Sequence, residues 1–175
     1  MSRPLNIALC GADGRMGTSI QSEIHDRDEL AFAGGFYRDS DTLGDDVDVL
    51  IDFSSPTGCM SALQAARDAS VPFVTGTTGL SDAQRETLNA AGTTIPTLTA
   101  SNFSVGINLL TNLVEQAARA ADDFDIEIFE AHHSQKVDAP SGTALSLGEA
   151  AAGARGIELE EVAQWGRKGN VGVRD

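Results

Sequence analysis

Leu5-Asn6-Ile7-Ala8-Leu9-Cys10 runs without a break into Gly11-Ala12-Asp13-Gly14-Arg15-Met16-Gly17, and the reading of this stretch decides the fold. The first six residues are apolar apart from Asn6, which suits a buried strand and is too short for a buried helix. The next seven place a glycine at every third position, and helix-compatible sequence follows to about residue 27. Strand, glycine turn and helix in that order gather backbone N–H groups at a helix start, where the positive end of the helix dipole favours a phosphate. The spacing is GxxGxxG, and turns of this kind also serve packing alone, so the nucleotide reading depends on its surroundings.

Those surroundings repeat the pattern. An apolar run at 30–36 completes a βαβ unit, and 47–53 reads as a third strand with the near-continuous apolar texture of a parallel sheet. Two more alternations follow, with helices over 57–69 and 81–91 and strands over 72–75 and 95–100. The expected fold is α/β, a Rossmann-type doubly wound parallel sheet with helices on both faces. After residue 102 the texture changes. A long helix is expected over 104–121, with Leu109, Leu110, Leu113, Val114 and Ala117 on its apolar face. Partial alternation in Phe124-Asp125-Ile126-Glu127-Ile128-Phe129-Glu130 predicts a strand, Ser141 opens a helix to about residue 152, and a further short strand is expected near 162–165. The chain therefore divides into residues 1–102, a dinucleotide-binding domain, and residues 103–175, a partial substrate-binding and catalytic domain.

Composition excludes several classes of partner. The 175 residues carry 26 acidic against 12 basic side chains, a formal charge of −14, which repels nucleic-acid phosphate and anionic membrane surfaces. Neither is an expected partner. Lys136 and Lys168 are the only lysines, and the acid is scattered along the chain, a surface suited to high salt and to a halophilic source. No apolar run reaches the length of a membrane span and the N-terminus has no signal-peptide core, so the expected setting is soluble and cytoplasmic. Cys10 and Cys59 lack CxxC or metal spacing and read as two small buried thiols. No metal site is expected.

Three further segments carry chemistry. Tyr37-Arg38-Asp39 follows the second strand, where an acid commonly bonds the adenosine ribose and an arginine accommodates a 2′-phosphate. Arg38 favours NADPH, Tyr37 is placed to stack on adenine, and Asp39 leaves NADH open. Gly76-Thr77-Thr78-Gly79 and Thr99-Ala100-Ser101-Asn102-Phe103-Ser104 each follow a later strand, at the carboxyl edge where open α/β sheets bind ligands. His132-His133-Ser134-Gln135-Lys136 concentrates two of the three histidines and one of the two lysines within five residues. Ser141 after Pro140 is a good N-cap, leaving the N–H groups of Gly142 and Thr143 as a seat for a carboxylate or phosphate. The segment reads as an anionic-substrate site with a proton donor beside it.

Taken together, these residues resemble the dihydrodipicolinate reductase family. The likeness rests on the GAxGRMG turn, Gly76-Thr77-Thr78-Gly79, Ser101-Asn102-Phe103-Ser104-Val105-Gly106, and above all Glu130-Ala131-His132-His133 with Lys136-Val137-Asp138-Ala139-Pro140-Ser141-Gly142-Thr143-Ala144. It runs in order along essentially the whole chain. The resemblance implies an NAD(P)H-dependent reductase of 4-hydroxy-tetrahydrodipicolinate in diaminopimelate and lysine biosynthesis, a second, truncated α+β substrate domain, and a homotetramer. It implies that Gly11, Ala12, Asp13, Gly14, Arg15, Met16, Arg38, Gly76, Thr77, Thr78, Ala100, Ser101, Asn102 and Phe103 hold the dinucleotide. His133, Gly142 and Thr143 would bind the substrate carboxylates, His132 would give or take a proton, and Lys136 would donate one.

The chain departs from the family pattern in three places. Tyr37 stands where an acid is common, and the stretch between Asp39 and Val47 is short, as if a strand and helix were missing and the sheet narrower. Family members also continue well past the segment at 166–174, whereas this chain stops at Asp175. Two alternatives stay open on the residues, a catalytically inactive nucleotide-binding fragment and a different NAD(P)-dependent reductase on the same frame.

Overall fold

The computed structural model describes residues 3–37, 42–134, 136–137 and 139–173. They form two compact units, Met1–Ser101 and Asn102–Asp175. The first unit is a five-stranded parallel sheet in the order β2-β1-β3-β4-β5, with β1 Leu5–Cys10, β2 Leu30–Phe36, β3 Val49–Asp52, β4 Phe73–Thr75 and β5 Thr97–Thr99. Its helices are α1 Arg15–His25, α2 Pro56–Asp68 and α3 Asp82–Ala91. All five strands and three helices lie where the alternation of apolar runs predicts them.

Both faces of β1 are buried, which is why it reads as a continuous apolar run. Ile7 and Leu9 face Ile24 of α1, while Ala8 and Cys10 join the larger cluster of Leu50, Cys59, Leu63, Phe73 and Leu88 under α2 and α3. Leu50 and Phe73 are fully buried, and truncating either to alanine removes about 2–5 kcal/mol. β2 pairs with β1 through a bulge between Ile7 and Ala8, where Gly34 takes φ +123°, a conformation that L side chains rarely adopt. The helices start on side-chain caps that their sequences supply. Ser55 caps α2 ahead of Pro56, and Ser81 with Gln84 forms a reciprocal capping box on α3.

The second unit contains α4 Val105–Ala120, α5 Gly142–Ala154 and the short α6 Leu159–Val162. Ala118, Gly148, Ala151 and Ala152 are its small buried residues, and Gly148 leaves room for Leu159 of α6. Arg155 closes α4, its guanidinium donating to the carbonyls of Ala121 at 2.6 Å and Phe124 at 2.7 Å. Two sequence expectations fail in this unit. Residues 124–130 lie outside any strand, and Phe124, Ile126, Ile128 and Phe129 are exposed. An alternating segment becomes a strand only when a ladder partner takes its N–H and C=O groups, and among the described residues no strand pairs with this one. The strand expected near 162–165 is instead the end of α6 followed by irregular chain. Leu109, Leu110 and Leu113 of α4 are exposed too, so the apolar face read from the sequence exists without being covered among these residues.

Candidate active site

The glycine turn is built for close backbone approach. Gly11 takes φ +82°, and a Cβ there would stand 2.5 Å from the Phe53 carbonyl oxygen at the end of β3. The Gly14 N–H closes the turn onto the Gly11 carbonyl at 3.0 Å. A Cβ on Gly17 would collide with the carbonyls of Gly11 and Ala12, so this glycine lets α1 pack directly on the turn. Gln21 fastens the same turn from within the helix, donating to the Ala12 carbonyl at 2.8 Å. Gly14 is the N-cap of α1 and no side chain caps it, nor is there acid in the first turn. The first N–H groups of α1 thus have neither an intrahelical nor a side-chain acceptor, the donor set that a phosphate group fits.

Around that helix start, Asp13, Arg15 and Met16 are exposed and Ala12 is buried. Tyr37 folds back over Gly35 and donates its hydroxyl to Asp13 Oδ1 at 3.4 Å, linking the end of β2 to the glycine turn. Arg38 and Asp39 lie outside the described residues. In the strand order, β1 and β3 are the neighbours from which the chain leaves in opposite directions, the switch point at whose carboxyl ends open α/β sheets hold ligands.

Gly76, Thr77 and Thr78 follow β4 at the same edge of the sheet. A Cβ on Gly76 would run into the Phe53 ring, so the turn lies flat against the end of β3. Thr77 is buried and Thr78 exposed. Ala100 is held beside this turn by its N–H, which donates to the Thr75 carbonyl at 3.2 Å. Ser101 ends the first unit. Asn102 and Phe103 belong to the second, where Asn102 Oδ1 accepts the Ser104 N–H at 2.8 Å and its amide reaches Thr143 Oγ1 at 3.4 Å. The structure therefore brings Asn102 to Thr143, one of the residues expected at the substrate.

The histidine–lysine segment is organised by an acid that sequence reasoning passed over. Glu130 accepts the Ser141 N–H at 2.9 Å and the Ser141 hydroxyl, and faces His132 Nε2 at 3.1 Å. Those contacts, the Ser141 hydroxyl first, then its N–H and His132, hold the Glu130 carboxyl down at about 2. Ser141 is buried and also caps α5 by accepting the Ala144 N–H at 3.0 Å. Gly142 and Thr143, at the first two positions of α5, have no intrahelical acceptor for their N–H groups. His133 is exposed and Lys136 half-buried, with the Lys136 N–H donating to the His133 carbonyl at 3.2 Å. The second acid missed is Asp52, fully buried at the end of β3. The signal for both was present: an acid ending an apolar strand, and an acid two residues ahead of a histidine.

The sheet and its two turns define a nucleotide-binding α/β protein of the Rossmann type. Residues 5–103 match the family described as dihydrodipicolinate reductase, N-terminus, and residues 106–174 match dihydrodipicolinate reductase, C-terminus. The chain belongs to the dihydrodipicolinate reductase family and is an oxidoreductase of that family.

Its relatives include proteins named 4-hydroxy-tetrahydrodipicolinate reductase. That of Caulobacter vibrioides is 44% identical over 99% of this chain and 72% of its own length. That of Campylobacter lari is 45% identical over 97% of this chain and 71% of its own, and that of Halorhodospira halophila 42% over 98% and 74%. A solved structure, dipicolinate-bound dihydrodipicolinate reductase from Paenisporosarcina sp. TG-14, superposes with a TM-score of 0.66 at 25% identity, covering 87% of this chain and 67% of that one. The Halorhodospira alignment takes 200 positions against a chain of 175, so at least 25 positions of that relative face a gap. The short stretch between Asp39 and Val47 is where the sequence leads one to expect such a deficit. The Campylobacter alignment takes 173 positions and needs no such excess.

Proposed function

We propose that this protein reduces 4-hydroxy-tetrahydrodipicolinate to tetrahydrodipicolinate with NADPH or NADH, in diaminopimelate and lysine biosynthesis. The observation that carries the reading is the cluster of Glu130, His132 and Ser141 at the start of α5, inside the segment most specific to the family. When bound, the nicotinamide cofactor supplies a hydride. The uncapped start of α1, with Gly11, Ala12, Asp13, Gly14, Arg15 and Met16, holds its pyrophosphate, and Gly76, Thr77, Thr78 and Ala100–Phe103 hold the nicotinamide half. Arg38 receives a 2′-phosphate. The N–H groups of Gly142 and Thr143, the Thr143 hydroxyl and His133 bind the carboxylates of the substrate. This fits a relative that binds dipicolinate, a small aromatic diacid. His132, oriented by Glu130, and Lys136 provide the proton that completes the reduction.

No helix among the described residues is long and apolar enough to cross a membrane, and the reading places the enzyme in the cytoplasm. A homotetramer is part of the same proposal, supported by the uncovered Leu109, Leu110 and Leu113 of α4. The roles are tested by His132→Ala and Lys136→Ala, each expected to lower kcat by about 100-fold or more while leaving the Kd for NADPH close to that of the unaltered protein. Unchanged turnover in either variant removes that residue's role.

A further inference from the structure

The proposed mechanism leaves one buried acid unused. Asp52 is fully buried at the end of β3, and among the described residues no cation is paired with it. Its carboxylate accepts three hydroxyl hydrogen bonds, from Ser54 Oγ at 2.5 Å, Thr75 Oγ1 at 2.7 Å and Thr77 Oγ1 at 2.7 Å. A hydroxyl has a single hydrogen, so each of these groups then presents only lone pairs elsewhere. Thr75 Oγ1 accepts the Thr77 N–H at 3.1 Å, and Thr77 Oγ1 accepts the Ser54 N–H at 3.0 Å. The directions of every bond in the network agree if Asp52 acts as acceptor throughout.

A buried acid at the end of a strand is expensive to hold, and an apolar residue of similar size would end β3 at less cost. What the acid adds is geometry. The network ties the residues after β3 to the turn after β4, and the Gly76 N–H joins it by donating to the Asp52 carbonyl at 2.9 Å. We infer that Asp52 is a positioning residue for the cofactor crevice, fixing Ser54 and the Gly76–Thr78 turn relative to one another through the hydroxyls of Ser54, Thr75 and Thr77. The inference rests on the assignment of Gly76, Thr77 and Thr78 to the cofactor.

The test uses the full chain, measuring the Kd for NADPH and NADH by fluorescence titration beside the Tm. Asp52→Ala is expected to weaken both cofactors by about tenfold or more, since three hydroxyls lose their common acceptor. Asp52→Asn is expected to stay within about threefold of the unaltered protein. Its carbonyl can take both threonine hydroxyls while its amide donates to Ser54 Oγ, whose hydrogen turns to the Ser55 carbonyl, already 3.4 Å away. Should Asp52→Ala not fold, Thr75→Val carries the test, because Thr75 is buried under the turn and its hydroxyl bridges Asp52 and the Thr77 N–H. It too is expected to raise both Kd values.

Leu63→Ala, a buried core change on α2, controls for stability alone and is expected to lower the Tm with both Kd values unchanged. A folded Asp52→Ala or Thr75→Val that binds like the unaltered protein overturns the inference. So does a Leu63→Ala that loses affinity as Asp52→Ala does. Absence of cofactor binding by the unaltered chain removes the cofactor assignment and this role with it, whereas equal binding by all variants removes the role alone.

Discussion

Replacing Gly11 with alanine separates what the glycine turn does for the fold from what it does for the ligand. The new Cβ would lie 2.5 Å from the Phe53 carbonyl oxygen, 2.9 Å from its carbon and 3.2 Å from Ser54 Cα. All three are backbone atoms, and the Phe53 N–H is itself bonded to the Cys10 carbonyl at 3.0 Å, so none can swing aside. Relieving such an overlap costs about 1–3 kcal/mol, and holding alanine at φ +82° adds about 1–2 kcal/mol. The expected loss is about 2–5 kcal/mol, a large share of the stability of an ordinary domain. Gly14→Ala provides the contrast. Its φ is −77° and the nearest obstacle is the Gly11 carbonyl oxygen at 3.2 Å, so stability should change by less than about 1 kcal/mol. Its methyl group would nevertheless stand at the open start of α1 and weaken dinucleotide binding. Urea denaturation and cofactor titration of both variants form the assay. A Gly11→Ala protein as stable as its parent, or a Gly14→Ala protein that binds cofactor unchanged, would refute the reasoning.

Other consequences concern charge and burial. Glu130, held at about 2 against an ordinary 4.5, contributes stability that is present above about 4.5 and lost as the pH falls towards 2; Glu130→Gln should flatten that acid limb in a melting-temperature series, and an unchanged limb would remove the assignment. Burial pushes the Cys10 thiol up to about 11 and the Cys59 thiol to about 12, so at neutral pH a thiol-specific disulfide reagent should label neither until denaturant is added. With a formal charge of −14, self-repulsion should be relieved by salt, and the Tm should rise between low and molar sodium chloride; a flat response would count against a surface adapted to high salt.

The first unit was largely legible because its signals are local. β1 to β3 are mainly apolar runs bounded by glycine or polar turns, and the caps at Ser55 and Ser81 sit beside the helices they start, as Ser104 and Ser141 do in the second unit. The misreadings share one physical cause, dependence on partners distant in sequence. Residues 124–130 have the alternation of a strand, but pairing is decided by another segment, and among the described residues none is offered. Asp52 looks like the polar end of an apolar strand until Thr75 and Thr77 close over it from β4 and the turn beyond. Glu130 was part of a motif whose histidines drew attention, and its role appears only when Ser141 returns from eleven residues further on. Sequence reading names the residues proposed to carry the chemistry, and the fold adds the contacts of Glu130 with Ser141 and His132 and of Asp52 with Thr75 and Thr77.

The proposed reductase activity is read out by the rate at which the unaltered chain oxidises NADPH and NADH in the presence of freshly generated 4-hydroxy-tetrahydrodipicolinate. Oxidation should depend on that substrate, be inhibited by dipicolinate, and yield tetrahydrodipicolinate in equal amount to the cofactor consumed. Tight binding of either cofactor without any substrate-dependent oxidation would contradict it.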